Sequence, residues 1–154
     1  MRNFEHTVNV LVKAYFTGTL VHQYCAACAV GNIIADAKGY KIQKVGCGFS
    51  WVEAYTQWEN VFMTSYGEQE FDIQAYEYEA KNQIDSTGYS PEELARVEFA
   101  FETADGKTED LNDDKWMFNG LMAVVDVLAD IHGIDLTTKE SAKLLFVKAP
   151  VLNT

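Results

Sequence analysis

Proline, cysteine, histidine and positive charge are all scarce in this sequence, and each scarcity excludes something. The prolines are Pro91 and Pro150 alone, so no proline-rich linker divides the chain, and no segment repeats. The cysteines are Cys25, Cys28 and Cys47. An odd and small number does not make a disulfide framework, which points to a reducing compartment. No apolar run approaches the ~20 residues that cross a bilayer. The opening stretch MRNFEHTVNVLVKAYF carries Glu5, His6 and Lys13 where a secretory signal would be apolar. A cytoplasmic setting without membrane contact is therefore expected. Twelve basic residues stand against 23 acidic ones, a net charge of −11. Such a field repels a phosphate backbone, so direct nucleic-acid binding is not expected. With His6, His22 and His132 the only histidines, histidine-centred catalysis has little material. P-loop, dinucleotide-glycine, G-x-S-x-G and H-E-x-x-H motifs are missing too.

What the sequence does have is apolar mass. Hydrophobic residues make up 48% of its 154 residues and aromatics 13%, too much for a disordered chain. A chain of this length folds as one domain, here residues 1–154, burying about two-thirds of its unfolded surface. Val8, Leu11, Val12 and Tyr15 repeat with helical spacing until Gly18. Thr19 is placed to cap a second helix through HQYCAACAVGNIIADA to Lys38-Gly39. Ser50-Trp51-Val52-Glu53 has the form of a capping box, and Trp51, Trp58, Val61 and Phe62 continue a third helix towards Gly67. Ile73, Tyr76, Ala80 and Ile84 share a face of a fourth. Ser90-Pro91-Glu92-Glu93 combines an N-cap, an N1 proline and a capping-box glutamate before Leu94, Val97 and Phe101.

The acidic loop DGKTEDLNDD then leads to the longest helix. Two apolar stripes run along it, one through Met117, Leu121, Val124, Leu128 and Ile131. The other holds Phe118, Met122, Val125, Ala129 and His132. So wide an apolar arc places this helix, near 115–132, at the centre of the core, ending at a Gly133-Ile134 cap. Thr137-Thr138-Lys139-Glu140 starts a short last helix. The expected fold is all-α, a compact bundle of six or seven helices.

The segments CAVGNIIA, GYSPEELARVEFAFETA and MFNGLMAVVDVLADIHG resemble small acidic proteins encoded by gut Bacteroidetes, their phages and their mobile elements. The resemblance implies a bacterial or phage origin and an intracellular setting. It carries over no activity and no catalytic residue.

The candidate chemistry is sparse. On a continuous helix, His22, Cys25 and Cys28 sweep an arc of roughly 120°, so all three share one metal only if the helix start bends. Structural zinc wants four ligands, usually from two cysteine pairs. The second pair is missing, and Cys47 in Gly46-Cys47-Gly48 is the remaining candidate. A redox dithiol needs its cysteine at a helix N-terminus, whereas Cys25 is expected inside a helix. Small apolar residues for close helix packing are the favoured account of this run. Asp126 and Asp130 form an i, i+4 pair, better explained as a solvated strip than as an acid–base site. Lys38, Lys41 and Lys44 make a local basic run, a candidate for an anion or an acidic partner. Gly106 in the acidic loop does not align with a calcium-binding EF-hand, and the loop reads as a helix cap. Tyr76, Tyr78 and Tyr89 are candidate recognition tyrosines.

No cofactor or resident metal is expected. The leading functional expectation is a non-enzymatic protein that binds a protein partner or itself. One rival is a counter-defence factor, either blocking a host enzyme by acidic charge mimicry or sequestering a nucleotide signal on Lys38–Lys44. Another is a zinc-stabilised module or metal-dependent enzyme built on Cys25, Cys28 and Cys47 or on Asp126.

Overall fold

The computed structural model describes residues 3–24, 26–45, 48–51, 58, 61, 72–110 and 113–137. Helix α1 (Phe4–Thr17) is capped by the Asn3 side chain and closed by Gly18 in the left-handed region. Helix α2 spans Ala29–Lys38, and strands β1 (Ile42–Val45) and β2 (Gly48–Trp51) follow. Next come α3 (Ile73–Ala75), a π turn over Tyr76–Ala80, and α4 (Lys81–Asp85). Helices α5 (Pro91–Glu102) and α6 (Asp114–His132) complete the described elements. The chain is mostly helical, with one small two-stranded sheet.

The start and stop signals at α5 and α6 act as their residue types dictate. At α5 the Glu93 amide donates to Ser90 Oγ at 3.1 Å, and the Ser90 amide donates to Glu93 Oε1 at 3.0 Å. Asp113 caps α6 by accepting from the Trp116 amide at 3.0 Å. At the far end Gly133 has φ 68°, and the Ile134 amide reaches back to Ala129 O at 2.8 Å. That wraps the last carbonyls of the helix as a glycine cap requires.

Two expectations are corrected. Residues 19–24 and 26–28 are not helical: α2 begins at Ala29, and its N-cap is Cys28. The cause is tertiary. Asn32, buried on α2, donates from Nδ2 to Thr19 O (2.8 Å), Ala27 O (3.1 Å) and Cys28 O (3.0 Å). It thereby ties the irregular segment to α2, adding to the Val21 amide on Ala27 O and the Asn32 amide on Cys28 O. Replacing Asn32 with alanine removes the side-chain donor from Thr19 O while those two carbonyls keep their backbone donors, and a loss of about 1 kcal/mol is expected in urea denaturation.

The second correction is the hairpin, which breaks the all-α expectation. Ile42 pairs with Trp51, Gln43 with Ser50, Lys44 with Phe49 and Val45 with Gly48. Ser50 and Trp51 therefore lie in a strand and do not open a helix. The expected third helix otherwise falls almost wholly outside the described residues, as does the last one beyond Thr137; Trp58 and Val61 are buried as core. Trp51 is buried too, and its Nε1 donates to Ala26 O at 2.9 Å, pinning the hairpin to the irregular segment.

Helices α1, α2, α5 and α6 close a ring. α5 packs most extensively on α6, α1 lies against both α6 and α2, and α2 meets α5. The core between them holds Leu11, Ile34, Leu94, Phe101, Val124 and Leu128, each fully buried. The expected central helix is α6, and one side of it is exposed. Val125 and Ala129 of its second stripe are buried, whereas Phe118 and Met122 are exposed. Among the described residues no helix is long and apolar enough to cross a membrane.

Candidate functional site

The HQYCAACAVGN run becomes a packing joint. The buried His22 ring lies between two aromatic faces, stacked on Phe101 at 4.1 Å and 14° and on Trp116 at 3.8 Å and 9°. Its Nε2 lies 3.1 Å from Trp116 O. A carbonyl only accepts, so this nitrogen carries the ring proton. Nδ1 sits 3.6 Å from Glu102 Oε2, beyond hydrogen-bond reach. Gly120, one turn after Trp116, makes room for the sandwich: a Cβ there would stand 2.8 Å from Phe101 and 3.0 Å from His22.

Beside this ring lies an acidic cluster that sequence reading missed. Cys28 Sγ accepts from the Gly31 amide at 3.3 Å and its thiol donates to Glu98 Oε2 at 3.2 Å. The thiol stands at the helix N-terminus that the redox reading had required of Cys25, which itself lies outside the described residues. Glu98 and Glu102 are one turn apart on α5. Burial and then the Glu102 charge push the Glu98 carboxyl up to about 8, against a smaller lowering by the Cys28 hydrogen bond. Glu102 Oε1 also accepts the Gln23 amide at 3.1 Å, holding a residue whose φ of 66° is uncommon for a side chain with a Cβ.

Glu98 and Glu102 are half-buried here. Cys28 is 1% exposed. The described residues hold no group of three or more histidine, cysteine or acidic side chains placed for a metal ion. Of the candidate ligands, Cys25 and Cys47 lie outside the described residues.

The other sequence candidates scatter. Lys38 Nζ donates to Asn82 Oδ1 across to α4, while Lys41 and Lys44 are exposed at the hairpin. The three lysines do not converge on one ligand. Tyr89 is a correction: it is buried, its hydroxyl shared with Thr7 Oγ1 at 2.8 Å and His132 Nε2 at 2.7 Å. A hydroxyl in that position ties α1 to the end of α6 and offers nothing to a partner. Tyr76 donates to Asp85 Oδ1, which together with burial raises its phenol to about 12. Tyr78 stands exposed on the π turn. Asp126 and Asp130 are both solvated, Asp130 taking Arg96 at 2.7 Å.

What the surface does assemble is an aromatic face across α1 and α6. Phe16 is 48% exposed, Phe118 47% and Met122 36%. Tyr15 joins the two helices, its ring 5.3 Å from Phe16 and 6.1 Å from Phe118. Its hydroxyl donates to Asp114 Oδ1 at 2.7 Å. Burial first, then that bond and the Asp114 charge, raise the phenol to about 12, so Tyr15 stays neutral and fixed. Lys115 and Asp126 lie exposed at either end of the α6 strip. Comparison with protein-family models, with curated proteins and with solved structures finds no match to this chain.

Proposed function

We propose that the protein acts by binding another protein chain through the Tyr15–Phe16–Phe118–Met122 face. The observation that carries this reading is the exposure of three large apolar side chains on two adjoining helices, organised around a tyrosine whose hydroxyl is already bonded. Aromatic residues and methionine are the types enriched where protein interfaces bury surface, and lysine and aspartate are depleted from the centre and left at the rim. Lys115 and Asp126 flank this strip in that manner. The Cys28–Glu98–Glu102 cluster, its thiol buried and its carboxyls half-buried, is given no part in this binding.

The test is a paired substitution, Phe16→Asp with Phe118→Asp. Both side chains are about half exposed, so each change is expected to cost about 1 kcal/mol, which a melting curve checks. Tagged wild-type protein in bacterial lysate is expected to retain a stoichiometric protein, or an untagged copy of itself, that the variant loses at a temperature where it is still folded. Equal retention by both, or none by either, would sink the reading.

A further inference from the structure

We infer that the occupant of this face is a second copy of the same chain, with α6 packed antiparallel on the partner's α6 about a two-fold axis near residue 120. This rests on the reading of the face as a protein-binding surface and names its partner.

The exposed strip is self-complementary. Lys115, Phe118, Met122 and Asp126 are all exposed on α6. At 100° per residue they fall within an arc of roughly 80°, a narrow stripe running along one side of the helix. Lys115 and Asp126 close its two ends, about 16 Å apart at 1.5 Å rise per residue. A two-fold axis perpendicular to the stripe superimposes it on itself reversed. Lys115 then faces Asp126 of the partner subunit and Asp126 faces the partner's Lys115. In the middle, Phe118 meets the partner's Met122 and the reverse. Both ion pairs and both apolar contacts come from one rotation, the self-complementarity that an isologous interface demands.

The parallel alternative, with the axis along the helix, sets lysine against lysine and aspartate against aspartate. It is disfavoured at both ends. Phe16, beside Tyr15 on α1, extends the apolar contact sideways. The opposing effect is the net charge of −11 on each copy. At about 0.15 M salt the Debye length is near 8 Å, which screens that long-range repulsion more than it screens contacting pairs. The strip is small beside the ~800 Å² per partner of a standard interface. The dimer is therefore weak and concentration-dependent.

Sedimentation equilibrium of the purified chain at about 0.15 M salt tests this. The wild type is expected to show a monomer–dimer equilibrium. Lys115→Glu and Asp126→Lys, each alone, turn two attractive contacts into two repulsive ones and are expected to weaken the dimer by about tenfold. The decisive arm mixes the two single variants. One then presents two acids and the other two lysines, so the mixture is expected to form a heterodimer about as tight as wild type. The double variant Lys115→Glu/Asp126→Lys recovers the homodimer. Exposed-site changes of this kind leave folding intact, which a melting curve checks.

A wild type that stays monomeric at every concentration overturns the inference, as does a dimer indifferent to the single changes or a mixture that fails to recover association. If the purified chain is monomeric yet loses a lysate partner with Phe16→Asp/Phe118→Asp, self-pairing falls and the protein-binding reading stands. If both experiments are negative, both fall.

Discussion

Valine in place of Gly120 is expected to cost about 4 kcal/mol or more, a large share of the ~5–15 kcal/mol that holds a domain folded, and alanine about 2 kcal/mol. Helix propensity argues the other way, because glycine inside a helix is about 1 kcal/mol worse than alanine. Contact decides the sign. A Cβ at 120 would lie 2.8 Å from two Phe101 ring carbons and 3.0 Å from His22 Cε1, well inside the ~3.5–4.0 Å of relaxed carbon contact. Phe101 is fully buried and stacked on His22, and His22 is backed by Trp116 and held through Nε2. Neither ring has an open direction in which to retreat, so α5 and α6 must separate. Overpacking of that kind typically costs about 1–3 kcal/mol and occasionally more, and valine, which adds two further methyls, falls at the upper end or beyond. Urea denaturation of the Ala and Val variants measures the effect. An alanine variant as stable as wild type would show that the helices yield more easily than the geometry implies.

That joint shows why part of the fold could be read from sequence and part could not. α1, α5 and α6 announce themselves because caps and periodicity are local: Ser90, Pro91 and Glu93 act within one turn of each other. Residues 19–28 carry alanines and cysteines that a helix tolerates, and nothing nearby forbids one. What removes the helix is distant: Asn32 on its carbonyls, Glu102 on the Gln23 amide, and the aromatic slot for His22. The hairpin was hidden differently. Ser50 and Glu53 imitate a capping box, while the competing signal was β-forming residues on both sides of Gly46-Cys47, a two-residue hairpin spacing.

The surface face was half legible. Phe118 and Met122 belong to an apolar stripe that is indistinguishable, along α6 alone, from the stripes that α1 and α5 cover. The flanking Lys115 and Asp126 on the same arc were the available sign that this stripe ends in solvent. Tyr89 misled for the converse reason: its partners Thr7 and His132 come from other helices. Glu98 and Glu102 looked like ordinary solvated positions of an amphipathic helix until the 19–28 segment folded over them.

That covering has the second large consequence, a fall in stability with rising pH. The Glu98 carboxyl is raised from an ordinary 4.5 to about 8. Below 4.5 both the folded and the unfolded chain hold the proton, and the stabilisation is fully present. Between 4.5 and 8 the unfolded chain releases it while the folded chain keeps it, so stability drops; above 8 nothing remains to lose. The limiting slope is about 1.4 kcal/mol per pH unit. Solvent at the partly buried carboxyl reduces the total to about 2–3 kcal/mol, or roughly 5–10 °C in melting temperature between pH 5 and pH 8. Among the described residues, the groups facing Glu98 are Glu102 on its own helix and the Cys28 thiol at the start of α2, with His22 beyond Glu102. Glu98→Gln imitates the protonated form at every pH. It is expected to match wild type near pH 5, to melt higher than wild type at pH 8, and to flatten this part of the pH profile. The remaining carboxylates repel one another in both proteins, so the difference between the two profiles isolates Glu98. Glu102→Gln removes the neighbouring charge while keeping an oxygen for the Gln23 amide, and should move the decline to lower pH and shrink it. Parallel profiles for wild type and Glu98→Gln would mean that the carboxyl ionises freely in the folded protein and that water reaches it between α2 and α5.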